Sequence, residues 1–159
     1  MKKVLLNTCC FIGHREITET AELREQIYAA IEKLILENQV DTFLFGSKSR
    51  FDSLCHEQTT RLKEKYPYIK RIYVRAEFPE INDSYKNYLL KNYEETYYPD
   101  QLLGAGRAVY VKRNREMIDN SHFCVVYFHK ECLPKNRKSG TESALCYAVK
   151  KKRKIVLFP

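Results

Sequence analysis

Short apolar runs, two of them closed by glycine, alternate along this chain with segments whose apolar residues recur every three to four positions. That alternation restricts the possible folds more than any other feature. Residues 4–12 form a mostly apolar run ending at Gly13, as a buried strand does. Thr20 stands where a helix N-cap would, with Glu22 and Glu25 in the first turn. Leu23, Ile27, Ala30, Ile31, Leu34 and Ile35 then follow at helical spacing up to Asn38. Residues 42–45 make a short second strand ending at Gly46. Residues 51–66 suit a helix with Leu54, Cys55, Thr59 and Leu62 inward and Pro67 as its stop, and residues 69–74 a third strand. The Tyr- and Asn-rich stretch 77–106 reads as a loop with one short helix near 84–92. Beyond it a helix is expected over 107–120, a strand over 122–128, an exposed basic loop over 130–138, a helix over 141–152 and a last strand over 155–158. Strands and helices in alternation imply an α/β domain: one doubly wound sheet of about five mainly parallel strands, ordered 3-2-1-4-5, with helices on both faces. At 159 residues the chain is read as one domain with room for a sizeable core.

In such sheets ligands sit beyond the carboxyl ends of the strands, where the winding reverses. Here those ends carry Gly13-His14-Arg15, Gly46-Ser47-Lys48 and the segment leading to Ser139. Ser139-Gly140-Thr141-Glu142 opens the last helix, where free backbone N–H groups and short side chains suit an anion. Charge points the same way. Residues 101–159 carry 13 Lys and Arg against 4 Asp and Glu, and residues 1–100 carry 15 against 16, so the +8 excess lies with the candidate anion site. A positive balance favours anionic partners, although it also serves solubility. Ser139 and Glu142 double as a capping box, which pre-organises the same N–H groups. Arg15 suits a bidentate phosphate contact and His14 a hydrogen bond to sugar or phosphate; the plain alternative is a turn in which Gly13 supplies positive φ. Asp52 lies near a helix start, where Ser49 or Asp52 could cap; Asp52 could instead bind ribose hydroxyls or orient Arg15. Arg113 shares its helix with Arg107, Lys112 and Arg115, a pattern that otherwise reads as a solvated basic face.

The six cysteines show no C-x-x-C pair and no zinc-like spacing with histidine, so no metal is expected; four of them fall in apolar runs, which fits a reducing cytoplasm. The opening Met1-Lys2-Lys3-Val4-Leu5-Leu6 imitates a signal peptide, but Asn7 and Thr8 interrupt it and Gly13-His14-Arg15 occupies the cleavage region, which reads against export. No apolar stretch approaches the ~20 residues of a membrane span. Lys150-Lys151-Lys152-Arg153-Lys154 resembles a nucleic-acid patch, yet it also lies where cations complement a helix C-terminus.

Taken together, these segments resemble the SLOG superfamily, the Rossmann-like group that includes the lonely-guy phosphoribohydrolases and the DNA-processing protein A family, and in particular its small stand-alone YpsA-like members. The resemblance is carried by Cys10-Phe11-Ile12-Gly13-His14-Arg15-Glu16-Ile17, Phe43-Leu44-Phe45-Gly46 leading into Arg50-Phe51-Asp52, residues 62–70, Arg113-Asn114 with Met117-Ile118, and Ser139-Gly140-Thr141. It implies binding or sensing of a nucleotide or nucleotide-derived molecule in a bacterial or phage setting, with Arg113 beside the ligand. It sets Ala144 where the hydrolases have a glutamate, which leaves Glu142 and Asp52 as the candidate carboxylates for the alternative, N-glycosidic cleavage of a nucleoside monophosphate. A second alternative is nucleic-acid binding. The expected partners are a nucleotide-type ligand and further copies of the chain in a homodimer or larger homo-oligomer; nucleic acid is expected to bind weakly at most, and no cofactor is expected.

Overall fold

A computed structural model describes residues 5–46, 48–129 and 140–158. The elements are β1 (Leu5–Gly13), α1 (Ala21–Asn38), β2 (Thr42–Phe45), α2 (Arg50–Lys65), β3 (Lys70–Val74), α3 (Asp83–Leu89), β4 (Glu95–Tyr97), α4 (Val109–Asp119), β5 (Ser121–Tyr127), α5 (Gly140–Lys150) and β6 (Lys154–Phe158). All strand pairs are parallel, in the order β4-β3-β2-β1-β5-β6. The predicted α/β architecture is therefore present, with one correction: the described residues form a sheet of six strands where about five were expected. The expected 3-2-1-4-5 order survives as β3-β2-β1-β5-β6, and β4 is added outside β3.

That extra strand comes from the stretch read as loop. Its three residues are too few to show a period of two, and an ion pair places them. Arg71 on β3 forks onto Glu94, with Nη2 2.8 Å from Oε2, and Lys63 of α2 reaches the same carboxylate at 3.1 Å. Thr96 then donates from Oγ1 to the Tyr73 carbonyl at 2.8 Å.

β1 runs through the middle of the molecule, and its alternating side chains divide the core. Cys9 and Phe11 face Ile27 and Ile31 of α1 and Phe51 and Leu54 of α2. Cys10 and Ile12 face Met117 and Ile118 of α4 and Ala144 and Ala148 of α5. Each fully buried Ile, Leu or Phe contributes about 1.5–3 kcal/mol of transfer free energy, so both layers are held chiefly by apolar burial. The helix ends follow sequence chemistry. Thr20 Oγ1 accepts from the Leu23 N–H at 3.0 Å, and Ser49, not Asp52, caps α2 by accepting from the Asp52 N–H at 3.0 Å. At the far end of α5, Lys152 adopts φ 60° while the Arg153 N–H reaches back to the Ala148 carbonyl at 3.0 Å, closing the helix in a left-handed turn. Among the described residues no helix is long and apolar enough to cross a membrane.

Gly13 is not in the left-handed conformation that a bare turn would need; the glycines with positive φ are Gly104 and Gly106. Its constraint is close approach. A Cβ at Gly13 would lie 2.3–2.6 Å from the ring and Cβ of Phe51, which is wholly buried. Gly13→Ala is therefore expected to lower stability by about 1–3 kcal/mol through overpacking. Urea denaturation should show an earlier midpoint with an unchanged slope.

Candidate ligand-binding site

The sheet delivers β2 and β3 side by side, and their carboxyl ends open into a cleft of about 220 Å³. Gly46 forms its floor just beyond β2. Arg75, Ala76, Glu77 and Phe78 continue from β3 along one wall, Tyr85 comes from α3, and Tyr110 and Arg113 come from α4. Arg15 and Lys48 close the remaining side from the loops after β1 and β2. Four cations thus surround the cleft, and the single carboxylate among its lining residues, Glu77, is hydrogen-bonded by the Tyr110 hydroxyl.

The cations divide into two kinds. Arg113 and Arg75 are buried, while Arg15 and Lys48 are exposed. Arg113 donates from Nη1 to the Gly46 carbonyl at 2.5 Å and from Nε to Asn114 at 3.2 Å. The contact requires glycine beneath it, since a Cβ at Gly46 would meet Arg113 Cδ at 2.6 Å and Met117 Sδ at 2.8 Å. Burial holds the Arg113 pKa below the usual guanidinium range, while Asp52 pulls it back up. Arg75 donates to the carbonyls of Phe78 and Pro79 and to Thr96 Oγ1 at 3.1–3.4 Å. A guanidinium carries five N–H donors, so among the described residues three on Arg113 and two on Arg75 are left without a partner.

Asp52 lies in the core rather than among the cleft-lining residues. It is 4% exposed, and its Oδ1 has no hydrogen-bond partner among the described residues. Desolvation pushes its carboxyl well above the usual range, opposed by the charge of Arg113 and by the Gly46 backbone N–H. The side chain is therefore a buried acid that biases the Arg113 guanidinium from behind.

Of the residues predicted for the site, Arg15, Gly46 and Arg113 meet in the cleft. His14 does not. It is buried against Tyr127 and Phe128, and its Nε2 accepts the His129 N–H at 2.8 Å. Burial lowers its pKa, and a nitrogen that accepts an N–H is unprotonated, so His14 supports the end of β5 as a neutral ring. Gly13, the last residue of β1, is packed against Phe51. Ser47, Ser139 and the basic loop 130–138 lie outside the described residues, and with Ser139 goes the expected capping box. Gly140 borders a separate small groove between α4 and α5, with Val111, Asn114 and Arg115 on one side and Ser143 and Ala144 on the other. Thr141 is buried and Glu142 half-buried at the start of α5. The two openings share no lining residue, because α4 stands between them: Tyr110 and Arg113 turn one way and Val111, Asn114 and Arg115 the other. Ala144 packs in the core at 5% exposure.

Sequence reasoning missed Tyr73, Arg75, Glu77, Phe78, Tyr85 and Tyr110. The rule that ligands lie beyond strand ends, applied to the third strand as it was to the first two, points to Arg75 through Phe78. The basic run near the C-terminus is structural where it is most buried. Arg153 donates from Nε to the Ile118 carbonyl at 3.0 Å and from Nη2 to that of Asp119 at 3.3 Å, closing the C-terminus of α4. Among the described residues no three His, Cys, Asp or Glu side chains converge as a metal-binding group. No protein-family model matches the sequence, and no curated protein matches it significantly.

The buried carboxyl gives a pH test. Because the folded-state pKa of Asp52 is raised, its protonated form favours the folded state, and that contribution is lost as pH rises from the unfolded value of about 4 through the raised one. Asp52→Asn cannot titrate. The stability difference between wild type and Asp52→Asn should therefore move in favour of the variant with rising pH, by up to about 1.4 kcal/mol per pH unit inside the window. Urea denaturation of both proteins at pH 5, 7 and 9 reads it directly.

Proposed function

We propose that this protein binds a phosphorylated nucleoside in the cleft beyond β2 and β3, with the phosphate held by Arg15, Lys48 and Arg113 and the rest of the ligand against the aromatic wall. The observation that carries this reading is the convergence of four cations on an opening also lined by Tyr73, Phe78, Tyr85 and Tyr110. Positive charge alone would suit any anion. Aromatic faces beside it suit an anion that carries a flat ring, the pairing a nucleotide presents. The Arg15 carbonyl accepts the Arg50 N–H at 2.8 Å, but the side chains of Arg15 and Lys48 have no hydrogen-bond or ion-pair partner among the described residues, so a phosphate would meet them without displacing a side-chain contact.

Binding is favoured over cleavage of an N-glycosidic bond by the placement of carboxylates. Cleavage builds positive charge on the ribose, and a nearby carboxylate is the natural stabiliser. Glu77 is tied to Tyr110, Asp52 is withdrawn into the core, and among the described residues no carboxylate lines the groove at Gly140. Incubation with a panel of nucleoside monophosphates is accordingly expected to release no free base at an enzymatic rate, as read by chromatography. Turnover abolished by Asp52→Asn would overturn this.

Calorimetry across mono-, di-, cyclic and NAD-derived nucleotides tests the binding itself. At least one should bind with micromolar affinity or better, about −8 kcal/mol. Arg15→Gln removes an exposed cation without disturbing the core and should weaken that complex by about 10- to 100-fold, the worth of a charge-assisted hydrogen bond. No heat with any nucleotide would sink the proposal.

A further inference from the structure

Phe78 is bulky, 56% exposed, and held at φ 60°, a left-handed conformation that glycine or asparagine adopts far more readily. Core packing does not account for it, because the side chain faces solvent. Three features set it in place. Arg75, itself only 8% exposed, donates from Nε to the Phe78 carbonyl at 3.2 Å and from Nη2 to the Pro79 carbonyl at 3.4 Å, fixing the turn from inside. Tyr85 meets the Phe78 ring at 90° with centroids 5.9 Å apart. Both rings line the cleft that holds the four cations. A strained residue persists where its surroundings over-determine it, and such residues gather at ligand clamps. Here the strain turns an aromatic face outward at the lip of a cationic opening, and the perpendicular Tyr85 ring makes the lip a corner.

We propose, building on the nucleotide reading above, that Phe78 and Tyr85 form a stacking corner for the ligand's heteroaromatic ring and that the corner selects purine over pyrimidine nucleotides. The ring lies on one aromatic face and abuts the other. Two fused rings cover more of such a corner than one, and stacking on an aromatic side chain grows with the overlapped area. The cleft volume of about 220 Å³ suits one base with its phosphate rather than a dinucleotide, whose second base would lie outside.

The test compares the full chain with Phe78→Gly and Phe78→Asn. Both replacements accept a left-handed backbone, so the thermal midpoint should hold or rise, and either one suffices should the other fold poorly. Calorimetry is run with a purine nucleoside monophosphate, its pyrimidine counterpart and ribose 5-phosphate. Wild type should prefer the purine nucleotide. The variants should lose about tenfold or more of that affinity, lose the purine preference, and bind ribose 5-phosphate as wild type does. Unchanged purine affinity and preference in a folded variant would overturn the stacking corner while leaving nucleotide binding intact. An equal loss for the purine nucleotide and ribose 5-phosphate would also overturn it, since the ring would not be what Phe78 reads. Wild type binding none of the three, or favouring the pyrimidine, separates the remaining cases: the first removes the nucleotide reading and this inference with it, and the second removes the purine selection alone.

Discussion

The carbonyl of Gly46 accepts a hydrogen bond from the Arg113 guanidinium, and the ligand edge of the sheet is arranged around that contact. It joins the end of β2 to α4, a helix that reaches the sheet only after the chain has passed through β3, α3 and β4. It also requires a bare backbone at position 46, since any Cβ there would overlap Arg113 and Met117. With the guanidinium seated on the carbonyl, Tyr110, one turn earlier on α4, reaches the β3 extension through Glu77. The cleft is the space left between these two ties. One long-range hydrogen bond to a buried charge thus sets the width of the opening and the position of its most buried cation.

Buried arginines in this molecule follow two different rules. Arg71 is neutralised: it forks onto Glu94, which Lys63 also approaches, and the group fastens the edge strand. Arg75 and Arg113 have no carboxylate within ion-pairing distance among the described residues, and they satisfy themselves on carbonyls, Asn114 and Thr96. Carbonyl dipoles compensate only part of the cost of taking a cation out of water, and burial lowers the pKa of both groups accordingly. The residual positive potential is directed into the cleft. Asp52 lies in the core near Arg113, and the same desolvation raises its pKa, opposed by the Arg113 charge. A site built this way retains attraction for an anion because its internal compensation is incomplete.

How much of this was legible in the sequence depended on the length of the signal. β1, α1, α2 and β5 each carry enough apolar residues for their periodicity to identify them, and Thr20 announced its cap. Gly46 was legible because a glycine after a strand is a local pattern, whereas Arg113 was singled out by the family resemblance alone, its helix otherwise reading as a solvated basic face. β4 was not: three residues carry no measurable period, and the Arg71–Glu94 pair that places them spans 23 positions. Ser49, one of the two cap candidates, takes the cap, whereas the burial of Asp52 is a tertiary property that no local pattern announced. His14 was misplaced for a related reason. A residue just past a strand end either enters the ligand edge or folds back onto the neighbouring strand, and the aromatic contacts with Tyr127 and Phe128 decide for the second. Of the aromatic wall, Phe78 and Tyr85 were hidden in the stretch that read as a loop with one short helix, while Tyr73 and Tyr110 lay in an expected strand and helix without a local signal that they face a ligand.

The division made by α4 bears on how such a site would act. Its two sides serve openings of different character, a cationic aromatic cleft on one and a small groove at the head of α5 on the other. An anion entering the cleft would supply acceptors for the N–H groups that Arg75 and Arg113 still hold free, completing compensation that the protein leaves unfinished. Because the unfolded chain has no such arrangement, that binding energy adds to folding stability as RT ln(1 + [L]/Kd), about 2.7 kcal/mol at a ligand concentration one hundred times Kd. The gain would be concentrated where α4 meets β2 and β3. The same helix packs against α5 through Met117, Ile118, Ala144 and Ala148, so a ligand in the cleft would stabilise a helix that is already part of that apolar layer.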